Sequence, residues 1–331
     1  MNIVFIGRYT EGQTGIVKSI HIGLLENGYN VYEINLAQRT ELINNPYSNY
    51  GGHGPVFVKW EGIKDEIIEF KPDIILLCAG GLTFQEEELN QIKKYCTVIS
   101  FTLSDPDVFP TVKEYADQFD VHTTNAKLAV GMYKEEGIEN TVYLPFGIDS
   151  RFFQMRLPVK QYKADVSIIG HFRPNRLEIA TALLEENFNL KIFGRDWPIK
   201  SEGPVIDEEW FKAMYSTKII VNFPQTGAGY TNIKVGIFEA AATGRLIMTE
   251  YFEEMEEFFE YDKEIIGYKD KEDLIQKIHY YLENPAKARA IGLAARRKCS
   301  LNHTWKKRLS SFFNSITIKT PERKWKEYKE D

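Results

Sequence analysis

The hexapeptide Asp165-Val166-Ser167-Ile168-Ile169-Gly170 opens the second half of this 331-residue chain much as Asn2-Ile3-Val4-Phe5-Ile6-Gly7 opens the first. Each is a β-rich apolar run stopped by a glycine, and helical periodicity follows each one. The pattern is that of a strand, a tight turn and a helix. Working outward from 165–170, helices are expected at Arg176–Glu186, Asp207–Tyr215 and near Asn232–Ala242. They alternate with strands at Leu190–Gly194, Lys218–Phe223 and Arg245–Thr249. In the first half Ile16, Ile20 and Leu24 share a helix face that Asn27-Gly28 ends. Strands are expected there at Tyr29–Leu36, Ile74–Leu77, Thr97–Phe101 and Val121–Thr123, with helices at Ile63–Phe70, Gln85–Lys94 and Thr111–Phe119. Strand, helix, strand in repetition requires crossover connections and hence parallel sheets. The expected class is α/β, with two doubly wound Rossmann-like domains facing each other across a cleft. Open parallel sheets take ligands at the carboxyl ends of their strands.

The expected division is 1–155 for a first Rossmann-like domain, 156–310 for a second, and 311–331 for a C-terminal helix and charged tail returning to the first. The join is placed near Pro145–Gln161, where Pro158 interrupts the pattern. Asp270 is positioned to cap a helix carrying Leu274, Ile278 and Leu282, which Asn284-Pro285 breaks. From Thr320 the residues are mostly charged, and a solvated tail is expected.

Hydrophobic residues at 43% and charged residues at 27% are those of an ordinary globular protein. A net charge of -6 argues against general nucleic-acid binding. Cys78, Cys96 and Cys299 show no metal-ligand spacing, and an odd, unpatterned count fits a reducing compartment. The start lacks the basic and apolar regions of a signal peptide, and no stretch approaches the roughly 20 apolar residues of a membrane span. A cytoplasmic location without a membrane span is expected.

The most informative chemistry lies in Thr226–Glu250, TGAGYTNIKVGIFEAAATGRLIMTE. Gly227 and Gly229 make a loop after a strand, and Thr231 or Asn232 is positioned to cap the next helix. A helix start offers free N–H groups and the positive end of a dipole, which suits a phosphate. Asn232, Gly236 and Glu239 are spaced to share one helix face. Gly236 leaves room there, Glu239 can accept hydrogen bonds from two sugar hydroxyls, and Lys234 adds positive charge. The plainer alternative makes Glu239 a solvated helix residue and Gly236 a packing glycine. Arg173 and Arg176 follow the glycine of the second domain's first strand, where guanidinium groups can grip a diphosphate and stabilise it as a leaving group.

Segment 165–310 resembles the donor-binding half of the CgeB-like (spore-maturation type) bacterial glycosyltransferases, which have the GT-B fold. The resemblance rests on four pieces. They are Ile169-Gly170-His171-Phe172-Arg173-Pro174-Asn175-Arg176, Phe193-Gly194-Arg195-Asp196-Trp197, Asn232 to Gly244, and His303-Thr304-Trp305 with Arg308. The first half matches through Asp105-Pro106 and Leu144-Pro145-Phe146-Gly147-Ile148-Asp149. Many retaining GT-B enzymes have two glutamates separated by seven residues. Glu239 aligns with the second, while Thr231 stands at the first, so that contact is lost or falls to Asn232.

The resemblance implies transfer of a sugar from a nucleotide diphosphate-sugar to an acceptor hydroxyl of a glycan, protein or small molecule. No metal and no cofactor beyond the sugar-nucleotide co-substrate is expected. The expected donor residues are Glu239, Asn232, Lys234, Thr231, Gly229, Arg173 and Arg176. Asp105, after the strand Thr97–Phe101, is the preferred general base, and His53 in Gly51-Gly52-His53-Gly54 is a second candidate. Asp105 and Asp107 also form a DxD pair of the kind that holds manganese in another glycosyltransferase fold. Two rival functions remain: a sugar-nucleotide isomerase or hydrolase, and a non-catalytic binding protein with two domains.

Overall fold

The computed structural model describes residues 1–10, 15–44, 55–78, 81–319 and 325–328. Its strands are β1 (Asn2–Gly7), β2 (Asn30–Asn35), β3 (Val56–Phe57), β4 (Ile74–Cys78), β5 (Leu82–Thr83), β6 (Thr97–Thr102), β7 (Val121–Thr124), β8 (Thr141–Tyr143), β9 (Ala164–Ile169), β10 (Leu190–Phe193), β11 (Thr217–Asn222), β12 (Leu246–Glu250) and β13 (Ile266–Tyr268). The chain divides after Pro145 and again after Thr304, where the sequence placed boundaries at 155 and 310.

The first domain holds a six-stranded sheet in the order β2-β1-β4-β6-β7-β8, parallel throughout. Every residue of β4 and β6 is buried, as a parallel strand covered on both faces requires. The pair β3–β5 forms a separate parallel ribbon. The helix expected at Thr111–Phe119 is instead a turn at Phe109–Val112 and a 3-10 turn at Ala116–Gln118. Pro110 sits in the first turn of the former, where its missing N–H costs nothing.

Residues 325–328, within the stretch expected to be a solvated tail, are packed against the first domain. The helix Trp305–Ser315 lies against the helix Ile16–Glu26, so close that a Cβ on Gly23 would stand 2.4 Å from that of Trp305. Beyond it Trp325 stacks on Tyr95, ring centroids 5.0 Å apart, and its Nε1 donates to the Pro72 carbonyl at 3.0 Å. Tyr328 Oη accepts from Trp60 Nε1 at 2.7 Å. These aromatics anchor a stretch whose charges suggested solvent.

The second domain, Phe146–Thr304, holds a parallel sheet in the order β10-β9-β11-β12-β13. Asp270 caps the helix Lys271–Glu283 as expected, accepting from the Asp273 N–H at 2.8 Å. Leu274 and Ile278 of that helix are in the core. Each sheet is doubly wound, the order reversing at β1/β4 in the first and at β9/β11 in the second. Ligands bind at such a reversal, beyond the strands' carboxyl ends.

Candidate functional site

At the β9/β11 reversal two loops meet. The first runs from Gly170 to the helix Pro174–Glu185, and the second from Phe223 to the helix Val235–Thr243. Asn175 Nδ2 ties them by donating to Gln225 Oε1 at 2.8 Å. Gly170 has a φ of +145°, and a Cβ there would meet Arg176 Nη1 at 2.8 Å. A Cβ on Gly194, at the end of β10, would stand 1.9 Å from the Gly170 carbonyl oxygen. The backbones can approach this closely only because residue 194 lacks a side chain. Trp197 Nε1 then donates to the same carbonyl at 3.0 Å.

This frame presents Arg176. Its Nη1 donates to the His171 carbonyl at 2.8 Å, and its guanidinium lies over the Phe223 ring, 5.3 Å from the centroid. Its Nε is buried with no hydrogen-bond partner, and among the described residues no carboxylate pairs with it. Burial, and then the positive charge of Arg173, lowers its pKa to about 10, which still leaves it a cation at neutral pH. Arg173, exposed at the residue before the helix, adds a second cation. A half-desolvated guanidinium without an acid partner is a receptor for an anion.

The second loop is a tight hairpin. Thr226 N–H donates to the Tyr230 carbonyl at 2.7 Å, Gly229 N–H to the Thr226 carbonyl at 3.2 Å, and Gln225 bridges Thr231. Extended backbone persists to Lys234, so the helix begins at Val235 and not near Asn232. Asn232 therefore shares no helix face with Gly236 and Glu239. It is fully buried, its N–H held by the Pro224 carbonyl at 3.3 Å, and it shapes the loop. Neither Thr231 nor Asn232 caps the helix, because Lys234 occupies the cap position. Gly229 (φ +87°) and Thr231 are exposed at the hairpin.

Glu239, one turn into the helix, is only partly exposed. Burial, with the negative charge of Asp149 second, pushes its pKa up to about 8. It is not the solvated helix residue of the plainer reading. Burial also raises the pKa of Glu250, at the carboxyl end of β12. Sequence reading passed over Glu250 and Phe223, although the carboxyl-end rule applied to Leu246–Glu250 points to the former.

Asp105 is placed differently. It is 1% exposed, and its carboxylate accepts from Thr124 Oγ1 at 2.6 Å and from Tyr133 Oη at 3.2 Å. Its backbone pairs with the Asn125 side chain in both directions. Burial raises its pKa to about 6. These bonds pin Asp105 to Thr124, Asn125 and Tyr133 of its own domain. His53 lies outside the described residues. His303, packed among Phe238, Phe258 and Phe259 with Nε2 on the Phe258 carbonyl at 3.0 Å, is structural.

Residues 174–314 match the family model described as glycosyl transferase-like. The spore protein CgeB of Bacillus subtilis is 27% identical over 136 residues, which are 40% of this chain and 42% of that protein. The match thus spans about two fifths of that relative's length. Among solved structures, HepE of Anabaena in complex with UDP and glucose superposes with a TM-score of 0.63 at 14% identity, over 96% of this chain and 100% of that one. Sucrose-phosphate synthase from Thermosynechococcus elongatus gives 0.61 at 13% identity, over 95% and 97%. A glycosyltransferase from Rickettsia africae gives 0.62 at 14%, over 95% and 97%. These likenesses fix the fold as GT-B.

Proposed function

We propose that this chain, with its GT-B fold and its glycosyl transferase-like second half, moves a sugar from a nucleotide diphosphate-sugar to an acceptor hydroxyl. The observation that supports this best is Arg176, a partly desolvated guanidinium with no acid partner, seated at the sheet reversal. There it and Arg173 hold the diphosphate and stabilise the leaving nucleotide as the glycosidic bond breaks. Glu239 accepts hydrogen bonds from donor hydroxyls, and the hairpin 225–231 closes around the phosphates. Two arginines supply the positive charge that a metal would otherwise supply, so turnover persists in excess chelator. No further cofactor is used, and the reaction belongs to the cytoplasm. The acceptor, recognised by the first domain, is a glycan, protein or small molecule. HepE is described with UDP and glucose, which makes UDP-hexoses the first donors to test.

Calorimetric titration of UDP-, GDP-, ADP- and dTDP-sugars into wild type and Arg176→Met tests the reading. One nucleotide should bind, and the variant should bind it about ten- to a hundredfold more weakly, because a charged hydrogen bond contributes about 1.5–3 kcal/mol. Equal affinity in a folded Arg176→Met protein would sink the reading.

A further inference from the structure

The second domain has a cavity of about 480 Å³ at the amino end of its sheet, where β11 and β12 begin. The sugar-nucleotide site proposed above lies at the carboxyl ends of the same strands, so this cavity is separate from it. Met155, Leu246, Leu282 and Leu293 give it apolar walls, and Arg245 and Arg289 give it charge. Lys218 also lines it but is neutralised by Asp165 Oδ1 at 2.6 Å.

The two arginines are not neutralised in this way. Arg245 spends its Nη2 on the Tyr215 carbonyl, and its Nε is buried without a partner. Among the described residues no carboxylate forms an ion pair with either arginine. Burial, and in smaller part the positive charge of Arg289, lowers the pKa of Arg245. Arg245, half-buried, and Arg289, exposed, line the same cavity, and an anion there can pair with both. The walls themselves exclude a bare inorganic ion as the best occupant, because it would leave the apolar surface uncovered. Met155 and Leu293 are exposed at 73% and 48%, so the apolar surface continues out to solvent. The volume lies within the usual range for small-molecule pockets.

We propose that this cavity binds a small amphipathic anion, one phosphate or carboxylate on Arg245 and Arg289 with its hydrocarbon part along Met155, Leu246, Leu282 and Leu293. The shared chemistry is met by a soluble alkyl phosphate and by an anionic lipid drawn from a bilayer.

The experiment titrates the full chain with octyl phosphate, inorganic phosphate and octanol, and measures co-sedimentation with vesicles of phosphatidylglycerol against phosphatidylcholine. Octyl phosphate should bind at least tenfold more tightly than phosphate or octanol, since only it satisfies both the cations and the walls. Arg289→Ala, at an exposed position, should weaken it about tenfold or more, and Arg245→Gln likewise. Arg176→Met should leave it unchanged, which separates this site from the diphosphate site. Vesicle binding that depends on phosphatidylglycerol and on Arg289 would assign the anion to a lipid, and its absence would assign it to a soluble molecule. No octyl phosphate binding, equal binding of octanol, or binding indifferent to Arg289 and Arg245 overturns the proposal. So does binding lost in Arg176→Met.

Discussion

Glu239 sits where burial disfavours its charge, and this gives it two measurable signatures. Its folded pKa, about 8, lies above the ordinary 4.5, so the folded state holds a proton that the unfolded state releases. Stability is therefore undiminished below about pH 4.5. It falls as pH rises through the window to 8, and the full penalty applies above that. Glu239→Gln removes the titration. The variant should match wild type at pH 4.5 and exceed it at pH 9 by on the order of 1–4 kcal/mol in urea unfolding. Donor binding runs the other way. If ionised Glu239 accepts hydrogen bonds from donor hydroxyls, wild-type affinity should rise between pH 6 and 9. The variant should show no such rise and bind about ten- to a hundredfold more weakly at the upper end. A purely structural glutamate would give the stability signature without the affinity one. A pH-independent wild-type affinity would remove Glu239 from the donor site.

At the scale of elements, the loop that carries Arg173 and Arg176 depends on the approach of Gly194 to Gly170. A Cβ on Gly194 meets the backbone of Gly170 at 1.9 and 2.6 Å, so no side-chain rotation relieves it. Gly194→Ala must part β9 from the end of β10. It should cost about 1–3 kcal/mol and weaken donor binding, because the Gly170–Phe193 and Phe172–Arg195 hydrogen bonds at 2.8 and 2.9 Å set the loop. Gly131→Ala is the control, since its added methyl meets nothing within 4 Å and sits in the helix Lys127–Glu135. It should be neutral or stabilising by up to about 1 kcal/mol. If both variants unfold at the same denaturant concentration, the approach has no energetic weight. The sequence made these elements legible to different degrees. Strands such as Ile74–Leu77 are buried on both faces, so their apolar runs survive any tertiary context. The start of the helix Val235–Thr243 was misplaced because Thr231 and Asn232 are good caps in isolation. The hairpin's own bonds and the burial of Ile233 hold the chain extended past them. The burial of Asp105 was not legible for a related reason: a strand's carboxyl end locates a residue, but only its neighbours Thr124 and Tyr133 show which way its carboxylate faces. Residues 325–328 were misread because the charges around them outnumber the Trp325 and Tyr328 that anchor them.

At the scale of the chain, the second domain is an insertion into the first, because the first resumes at Trp305. The insertion's ends are adjacent. Ile148 N–H donates to the His303 carbonyl at 3.2 Å, and Ile148 forms a parallel bridge with Thr304. The insertion also has its own five-stranded sheet and its own core, from Val166 to Ile278. A segment with adjoining termini and a complete core meets the conditions for folding alone. The first domain does not meet them when cut at Pro145, because it loses Trp305, Leu309, Phe312 and Phe313, all buried in the whole chain. Fully burying one such side chain contributes about 1.5–3 kcal/mol, and four together approach the stability of a typical domain. Residues 146–304 expressed alone should therefore unfold cooperatively and bind the donor nucleotide that the full chain binds. Residues 1–145 alone should lack a cooperative transition, and a short linker joining them to 305–328 should restore it. Circular dichroism melts and nucleotide titration of the three fragments decide the matter. A cooperative 1–145 fragment would show the returning helix to be dispensable. A folded 146–304 fragment that fails to bind the nucleotide would move part of the donor site out of the second domain.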